Sequence, residues 1–133
     1  MINYRSTRGS KDAKTAAQAV IKGLAEDKGL FVPDAIPALP FRPEDMVGRP
    51  YKEIAKAIIA AFFTDYTDEE LQACVDGAYD SKFEAEDVVP VVKAGDAYFL
   101  ELYHGRTAAF KDMALQMLPH LLTASLKKCG EKR

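Results

Sequence analysis

Apolar residues recur every three or four positions in several parts of the chain, a spacing typical of amphipathic α-helices. The clearest such segment runs from Tyr51 to Phe63, where one face would carry Tyr51, Ile54, Ala55, Ile58, Ile59 and Phe62. The same spacing predicts a shorter helix over 14–24 and another over 67–78. The latter begins with Thr67 and has Glu70 three residues later, which is the capping-box pattern of a helix start.

A fourth apolar stripe, near the C-terminus, predicts a helix that one residue should disturb. It begins at Phe110, and its other members are Ala114, Met117, Leu118 and Leu121. Pro119 lies inside this stripe and has no N–H to donate to the Leu115 carbonyl, so it should kink or interrupt the helix. If the chain is a fragment, we expect the face of Phe110, Ala114, Met117 and Leu121 to be exposed and to favour self-association.

Short apolar runs predict the strands. The runs at 88–93 and 97–102 flank Gly95 and Asp96, and this arrangement predicts a β-hairpin. Pro90 cannot donate a hydrogen bond to a neighbouring strand, so the first strand of the hairpin should lie at a sheet edge. Residues 2–8 predict a further short extended segment. Helices packed on a small sheet or hairpin make an α+β fold.

Five prolines between residues 33 and 50 predict a long loop, because proline disrupts both regular helices and central strands. The apolar residues Ile36, Leu39 and Phe41 are expected to anchor this loop to the core. A flexible linker between two domains is the other interpretation, and those apolar residues argue against it.

Composition narrows the possible functions. A chain of 133 residues suits one domain, and 48% hydrophobic with 29% charged residues is an ordinary globular composition. The net charge is -2 and no basic run accompanies aromatic residues, which argues against nucleic-acid binding. The apolar stretch 57–63 is too short to cross a membrane, and the N-terminus lacks the pattern of a signal peptide. We therefore expect a cytoplasmic protein.

Cysteine and histidine residues give no indication of a disulfide or a metal site. Cys74 and Cys129 are far apart in a chain without an export signal, so free thiols are expected. His104 and His120 are sixteen residues apart and do not have the spacing of metal ligands with a cysteine or a carboxylate. We predict no metal ion.

Lys111 lies where a predicted loop becomes a predicted helix. On spacing alone, the ordinary interpretation is a surface lysine whose stem covers apolar groups while its ammonium reaches water. The functional interpretation is a nucleophilic amine, held in place and partly shielded from water, that forms a covalent bond with an aldehyde. Pyridoxal phosphate is the usual cofactor of that chemistry, although the spacing of the residues does not identify it.

Three segments resemble the threonine synthase family. Residues 104–116 are similar to the lysine motif H-G-P-T-x-A-F-K-D-x-A-x-Q of that family. Residues 4–9 resemble its segment Y-x-S-T-R-G, and residues 23–33 resemble G-L-A-x-D-G-G-L-F-V-P. The three matches occur in the order of the family, and the resemblance extends over essentially the whole chain.

The resemblance implies the N-terminal part of a larger α/β enzyme that depends on pyridoxal 5'-phosphate. Such enzymes are carbon–oxygen lyases that convert O-phospho-L-homoserine and water to L-threonine and phosphate. It implies that Lys111 is both the catalytic and the cofactor-binding residue. It also implies a domain over 1–96 and the start of the cofactor-binding domain over 97–133.

The sequence departs from the family pattern at two positions and in length. Arg106 replaces the proline of the lysine motif, and Lys28 replaces a glycine of the D-G-G-L-F segment. Family members are several times longer, and their glycine- and serine-rich phosphate loop follows the segment corresponding to this chain. We therefore expect the isolated chain to be inactive and not to bind the cofactor stably.

Two alternatives remain open at the level of the sequence. The chain could be a non-catalytic module that binds a partner or dimerises through its C-terminal helix. It could also belong to a related enzyme that acts on a different phosphorylated or hydroxylated amino acid.

Overall fold

The computed structural model describes residues 1–132 and has an α+β architecture, as predicted. The strands are β1 (Tyr4–Ser6), β2 (Phe31–Pro33), β3 (Val91–Ala94) and β4 (Ala97–Leu100). The helices are α1 (Ala16–Lys22), α2 (Tyr51–Phe62), α3 (Asp68–Ala78), α4 (Asp112–Leu115) and α5 (Leu118–Cys129). The strands form two separate antiparallel pairs, β1 with β2 and β3 with β4.

The β1–β2 pair joins the first two family-like segments of the sequence. Tyr4 pairs with Pro33 and Ser6 with Phe31. The turn before β2 is closed by Asp27, whose Oδ1 accepts hydrogen bonds from the Ser6 hydroxyl at 2.6 Å and the Gly29 amide at 3.0 Å. A side chain at Gly29 would collide with Ser6 Oγ, since a Cβ there would lie 2.0 Å from it.

Helices α1, α2 and α3 begin and end close to the predicted positions. Thr67 caps α3 by accepting a hydrogen bond from the Glu70 amide, and the Glu70 carboxylate accepts one from the Thr67 amide at 2.8 Å. The predicted capping box is therefore confirmed. Thr15 and Gln18 form the same arrangement at the start of α1.

The hydrophobic core lies where α3 and α1 pack against α5. Val75 of α3 is fully buried, and Met117 and Leu121 near the start of α5 are almost so. Ser125 is also fully buried; its hydroxyl donates to the Leu121 carbonyl at 2.7 Å and bonds with the Tyr66 hydroxyl. Burial raises the pKa of Tyr66 to about 12, so its hydroxyl remains a proton donor in this network.

The C-terminal apolar stripe is interrupted at the predicted place. α4 ends at Leu115, and α5 begins at Leu118 with Pro119 in its first turn. Proline is well tolerated there, because the first amides of a helix have no partner within it. The apolar face is divided accordingly: Met117 and Leu121 are buried, whereas Phe110 and Ala114 are exposed.

The predicted hairpin is present, with Val91 opposite Leu100 and Ala94 opposite Ala97. Gly95 adopts φ +61°, the left-handed conformation that such a short turn requires. The predicted domain limit between residues 96 and 97 falls in this turn and stays a prediction.

The proline-rich segment is a loop with one 3₁₀ turn at Pro43–Met46. Its expected anchoring is wrong for Ile36, which is 86% exposed, and Leu39 is exposed as well. Phe41 is half-buried. Apolar character alone therefore does not place these side chains in the core, since the course of the proline-rich loop decides which of them reach it.

The structure also bears on membrane-spanning helices and on the two cysteines. No helix within residues 1–132 is long and apolar enough to cross a membrane. Cys74 is buried and Cys129 is exposed, and both are free thiols.

Lys28 adopts φ +63°, a left-handed conformation that suits glycine. This conformation costs a residue with a Cβ about 1–2 kcal/mol, whereas glycine loses about 0.5–1 kcal/mol more backbone entropy on folding. We therefore expect Lys28→Gly to raise the free energy of unfolding by about 0.5–1 kcal/mol in urea titrations. Lys11→Gly, at an exposed loop lysine without positive φ, is the matched control and should not stabilise. Equal effects of the two substitutions would contradict the assignment of strain to Lys28.

Candidate functional site around Lys111

Lys111 lies at the junction between loop and helix, as predicted, and directly precedes α4. Its side chain is exposed, so the expected partial shielding from water is not found in residues 1–132. Within the same residues, its ammonium has neither a hydrogen-bond acceptor nor an ion-pair partner. Its backbone is well anchored, since its carbonyl accepts hydrogen bonds from the Ala114 amide at 3.0 Å and the Leu115 amide at 2.8 Å.

The neighbouring residue, Asp112, holds the loop that leads to Lys111. It is only 1% exposed. Its Oδ2 accepts hydrogen bonds from the Thr107 amide at 2.7 Å and from the Thr107 hydroxyl at 3.0 Å, and Gln116 approaches Oδ1 at 3.5 Å. The bond from the Thr107 amide contributes most to holding the pKa of Asp112 below its usual value, so the carboxylate stays ionised.

Gly105 matters for its close approach to Asp112. A Cβ at Gly105 would lie 2.6 Å from the Cβ and Oδ2 of Asp112, which is closer than real side chains approach. Its φ is not positive, so glycine is required here by the close approach and not by a left-handed backbone conformation. The strained residue of the loop is Ala108, at φ +53°. The closed form of the loop therefore depends on the contacts of Asp112 with Gly105 and Thr107.

Tyr79 fixes the other side of the lysine. Its hydroxyl donates a hydrogen bond of 2.8 Å to the carbonyl of Met113, two residues after Lys111. That carbonyl lacks an ordinary helical partner, because the Met117 amide bonds to Ala114 instead. Tyr79 is buried and stacks edge-on against Tyr51, and burial raises the pKa of its hydroxyl. The hydroxyl thus ties α4 to the end of α3.

The strand end before the loop is anchored by His104 and Glu101. Their side chains are hydrogen-bonded at 2.7 Å, and the His104 carbonyl accepts a bond from the Glu84 amide at 3.0 Å. The bond from His104 is the main cause that lowers the pKa of Glu101. His104 therefore packs in the loop before Lys111.

The residues of the lysine motif differ in how much they contribute to the local structure. Asp112, Thr107 and Gly105 form one contact cluster, whereas Arg106 and Phe110 are exposed. The sequence patterns did not predict the structural roles of Asp112, Thr107 and Tyr79. A tyrosine at the end of the apolar α3 stripe was the available signal, because a buried phenol needs a partner for its hydroxyl.

Chemically, the arrangement presents one unpaired primary amine on a backbone that is anchored from both directions. Such an amine can attack an electrophilic carbon once an acceptor for its proton is near. No group of three or more metal-ligating side chains occurs within residues 1–132.

Comparison with known proteins finds one family that matches the chain. A family model described as the threonine synthase N terminus matches residues 3–79. The chain is 39% identical to the threonine synthase of Eremothecium gossypii over 94% of its own length, and 37% identical to that of Pseudomonas aeruginosa over 98%. It spans 26% and 28% of those two proteins, respectively.

A solved structure shows the same backbone. The chain superimposes on the pyridoxal-phosphate-bound threonine synthase of Brucella melitensis with a TM-score of 0.87 and 33% identity. The match covers 99% of this chain and 29% of that protein. The family model ends before Lys111, but the aligned structure and the Pseudomonas relative extend over the lysine segment.

Tyr79→Phe removes the hydroxyl that bonds to the Met113 carbonyl and leaves a carbonyl without its partner. We expect the free energy of unfolding to fall by about 0.5–1.5 kcal/mol, the usual net contribution of one hydrogen bond, because this bond is only partly buried. Tyr98→Phe removes a hydroxyl from an exposed ring and is the matched control, with an expected change close to zero. Urea denaturation measures both. A loss of similar size in the two variants would refute the role of the Tyr79 bond.

Asp112→Asn should lower the melting temperature at pH 7, because an amide cannot accept from both Thr107 and Gln116. The folded-state pKa of Asp112 is depressed, so its stabilisation is present above the unfolded pKa of about 3.9 and is lost as pH falls through the folded value. The gap in melting temperature between wild type and variant should therefore shrink below about pH 4. Asp12→Asn, at an exposed aspartate, is the control. A gap that stays constant from pH 7 to pH 3 would exclude this charge-dependent role.

Proposed function

Because the chain belongs to the threonine synthase family, we propose that it is the N-terminal region of a threonine synthase and supplies its catalytic lysine, Lys111. The complete enzyme is a lyase that converts O-phospho-L-homoserine and water to L-threonine and phosphate. The observation that carries the proposal is the unpaired amine of Lys111 on an anchored backbone, within a segment that the relatives share. In this proposal residues 1–96 form the N-terminal domain and residues 97–133 begin the cofactor-binding domain.

Lys111 fits one end of pyridoxal 5'-phosphate. Attack on an aldehyde carbon requires an amine that is not held in an ion pair with a carboxylate. Within residues 1–132, Lys111 has no such ion pair. When bound, pyridoxal phosphate supplies an electron sink for a carbanion at the substrate. The phosphate end needs backbone amides of the kind found in glycine-rich loops, and the sequence contains no glycine-rich segment. The isolated chain is therefore inactive and does not hold the cofactor stably.

The chain's own groups have distinct tasks in this proposal. The Nζ of Lys111 attaches the cofactor and later moves a proton at the substrate carbons. Asp112 and Tyr79 do not touch the reacting atoms; they fix the loop and the helix between which Lys111 lies. Asp112 should remain an anion throughout, because its oxygens already accept bonds from Thr107.

A chimera tests the assignment of Lys111. This chain would replace the matching segment of the Pseudomonas aeruginosa threonine synthase, and release of phosphate from O-phospho-L-homoserine would be measured. Lys111→Ala should reduce kcat by about a hundredfold to ten-thousandfold, the range for loss of a positioned proton-transfer group. Lys11→Ala, at an exposed lysine far from the motif in sequence, is the matched control and should retain the activity.

Covalent attachment gives a readout besides activity. Borohydride reduction of the loaded chimera followed by peptide mass spectrometry should place the pyridoxyl group on Lys111 alone. Attachment at another lysine, with activity intact in Lys111→Ala, would overturn the assignment. For the isolated chain, a stoichiometric cofactor absorbance band that Lys111→Ala abolishes would disprove the proposed need for the remaining enzyme.

A further inference from the structure

The β3–β4 hairpin exposes its apolar side chains to an unusual degree. Every residue of both strands is exposed within residues 1–132, including Tyr98 at 71% and Phe99 at 53%. An isolated two-stranded hairpin is at best marginally stable in water, and a third strand or a covering helix normally supports it. The hairpin therefore lacks support within the residues described.

The strand register shows that both faces of the hairpin are apolar. Cross-strand partners lie on the same face, and successive residues alternate between faces. One face carries Val91 with Leu100, and the opposite face carries Val92 with Phe99. A strand that meets water on one side alternates apolar and polar residues, whereas continuous apolar runs are typical of a sheet covered on both faces.

The edges of the hairpin are open as well. Within residues 1–132, β3 pairs only with β4, so each strand has an outer edge without a neighbouring strand. Such edges are templates for further strands. We name the two strands and their turn, residues 91–100, the hairpin surface. It carries only Lys93 and Asp96 as charged residues, so a strongly charged partner such as a nucleic acid does not suit it.

The lengths of the related proteins indicate which partner could cover the hairpin surface. The Pseudomonas aeruginosa relative matches this chain over 28% of its length, so nearly three quarters of that protein lies outside the match. The Brucella melitensis structure contains the same backbone as 29% of a larger chain. A polypeptide of that size can supply both additional strands and covering helices.

We infer that the hairpin surface is the docking site for the remaining region of a threonine-synthase-type chain, and that this docking occurs even between separate polypeptides. The inference rests on the proposed function for the identity of the partner. The added region continues the sheet from the hairpin edge and covers both faces. It thereby brings the rest of a cofactor site to Lys111, eleven residues after β4 ends.

The test is co-expression of the tagged 133-residue chain with the region of Pseudomonas aeruginosa threonine synthase that follows the matched segment. Each piece can then fold in the presence of the other. We expect a 1:1 complex by affinity purification and by size exclusion with light scattering. Hydrogen exchange of the amides of residues 91–100 should be slower in the complex than in the free chain.

Matched valine substitutions locate the docking site. Val91→Lys and Val92→Lys place a charge on opposite faces of the hairpin and should each reduce the recovered partner by about tenfold or more, since burial of one valine side chain contributes at least that factor. Val47→Lys, at a valine that is 84% exposed in the proline-rich loop, should leave recovery unchanged. All three sites are exposed, so circular dichroism of the free variants should match wild type.

Several outcomes would overturn the inference. These are no complex with the wild-type chain, recovery that neither valine substitution lowers, or hairpin amides that stay unprotected in the complex. Self-association of the free chain that Val91→Lys abolishes, without binding of the Pseudomonas region, would identify a second copy as the partner instead.

The two proposals can fail separately. Lys111→Ala should still form the complex, because docking does not need the amine. A complex that binds no pyridoxal phosphate at Lys111 would refute the proposed function and leave the docking site intact. An active chimera together with no complex between separate pieces would refute only the docking inference.

Discussion

The position of Lys111 depends on a buried carboxylate that must find hydrogen-bond donors. Asp112 is almost fully buried, and a buried anion is tolerated only when donors surround it. Thr107 supplies two donors, which folds residues 105–109 back onto the start of α4. The close approach of Gly105 leaves no space for a larger residue there. The conformation of the loop before Lys111 is therefore determined by the hydrogen bonds and close contacts of the neighbouring residue, Asp112.

The helical core extends this constraint to the other side of the lysine. Met117 and Leu121 fix α5 against α3, and the break before Pro119 deprives the Met113 carbonyl of a helical partner. Tyr79, at the end of α3, supplies the missing donor. Core packing, the interruption of the helix and the closed loop thus together fix the backbone on both sides of Lys111. The proposed role of Lys111 would benefit from this arrangement, because small displacements of catalytic groups are costly.

The sequence predicted those features that depend on neighbours within a few residues. The α2 helix, the Thr67–Glu70 capping box, the Gly95 turn and the break at Pro119 are all local, and the structure confirms them. It did not predict the bond from Tyr79 to Met113, since these residues are thirty-four positions apart and have no fixed spacing. The exposure of Ile36 was missed for the related reason that burial depends on where a whole loop runs. The left-handed conformation of Lys28 was not predicted, although the similar family segment has a glycine at this position.

The helical core of the chain is well packed, whereas apolar side chains near Lys111 in sequence are exposed. This contrast is relevant to the exposure of Lys111 itself. Val75, Met117 and Leu121 have apolar neighbours on all sides, while Phe99 and Phe110 do not. Both of these exposed phenylalanines precede the lysine in sequence, one in β4 and the other directly before Lys111. In the proposed function, a surface that covered Phe110 would also reduce the access of water to the neighbouring Lys111, which would strengthen electrostatic interactions there. The loop anchored by Asp112 thus fixes the position of the Lys111 backbone, and the proposed covering of the hairpin surface would determine the environment of its amine.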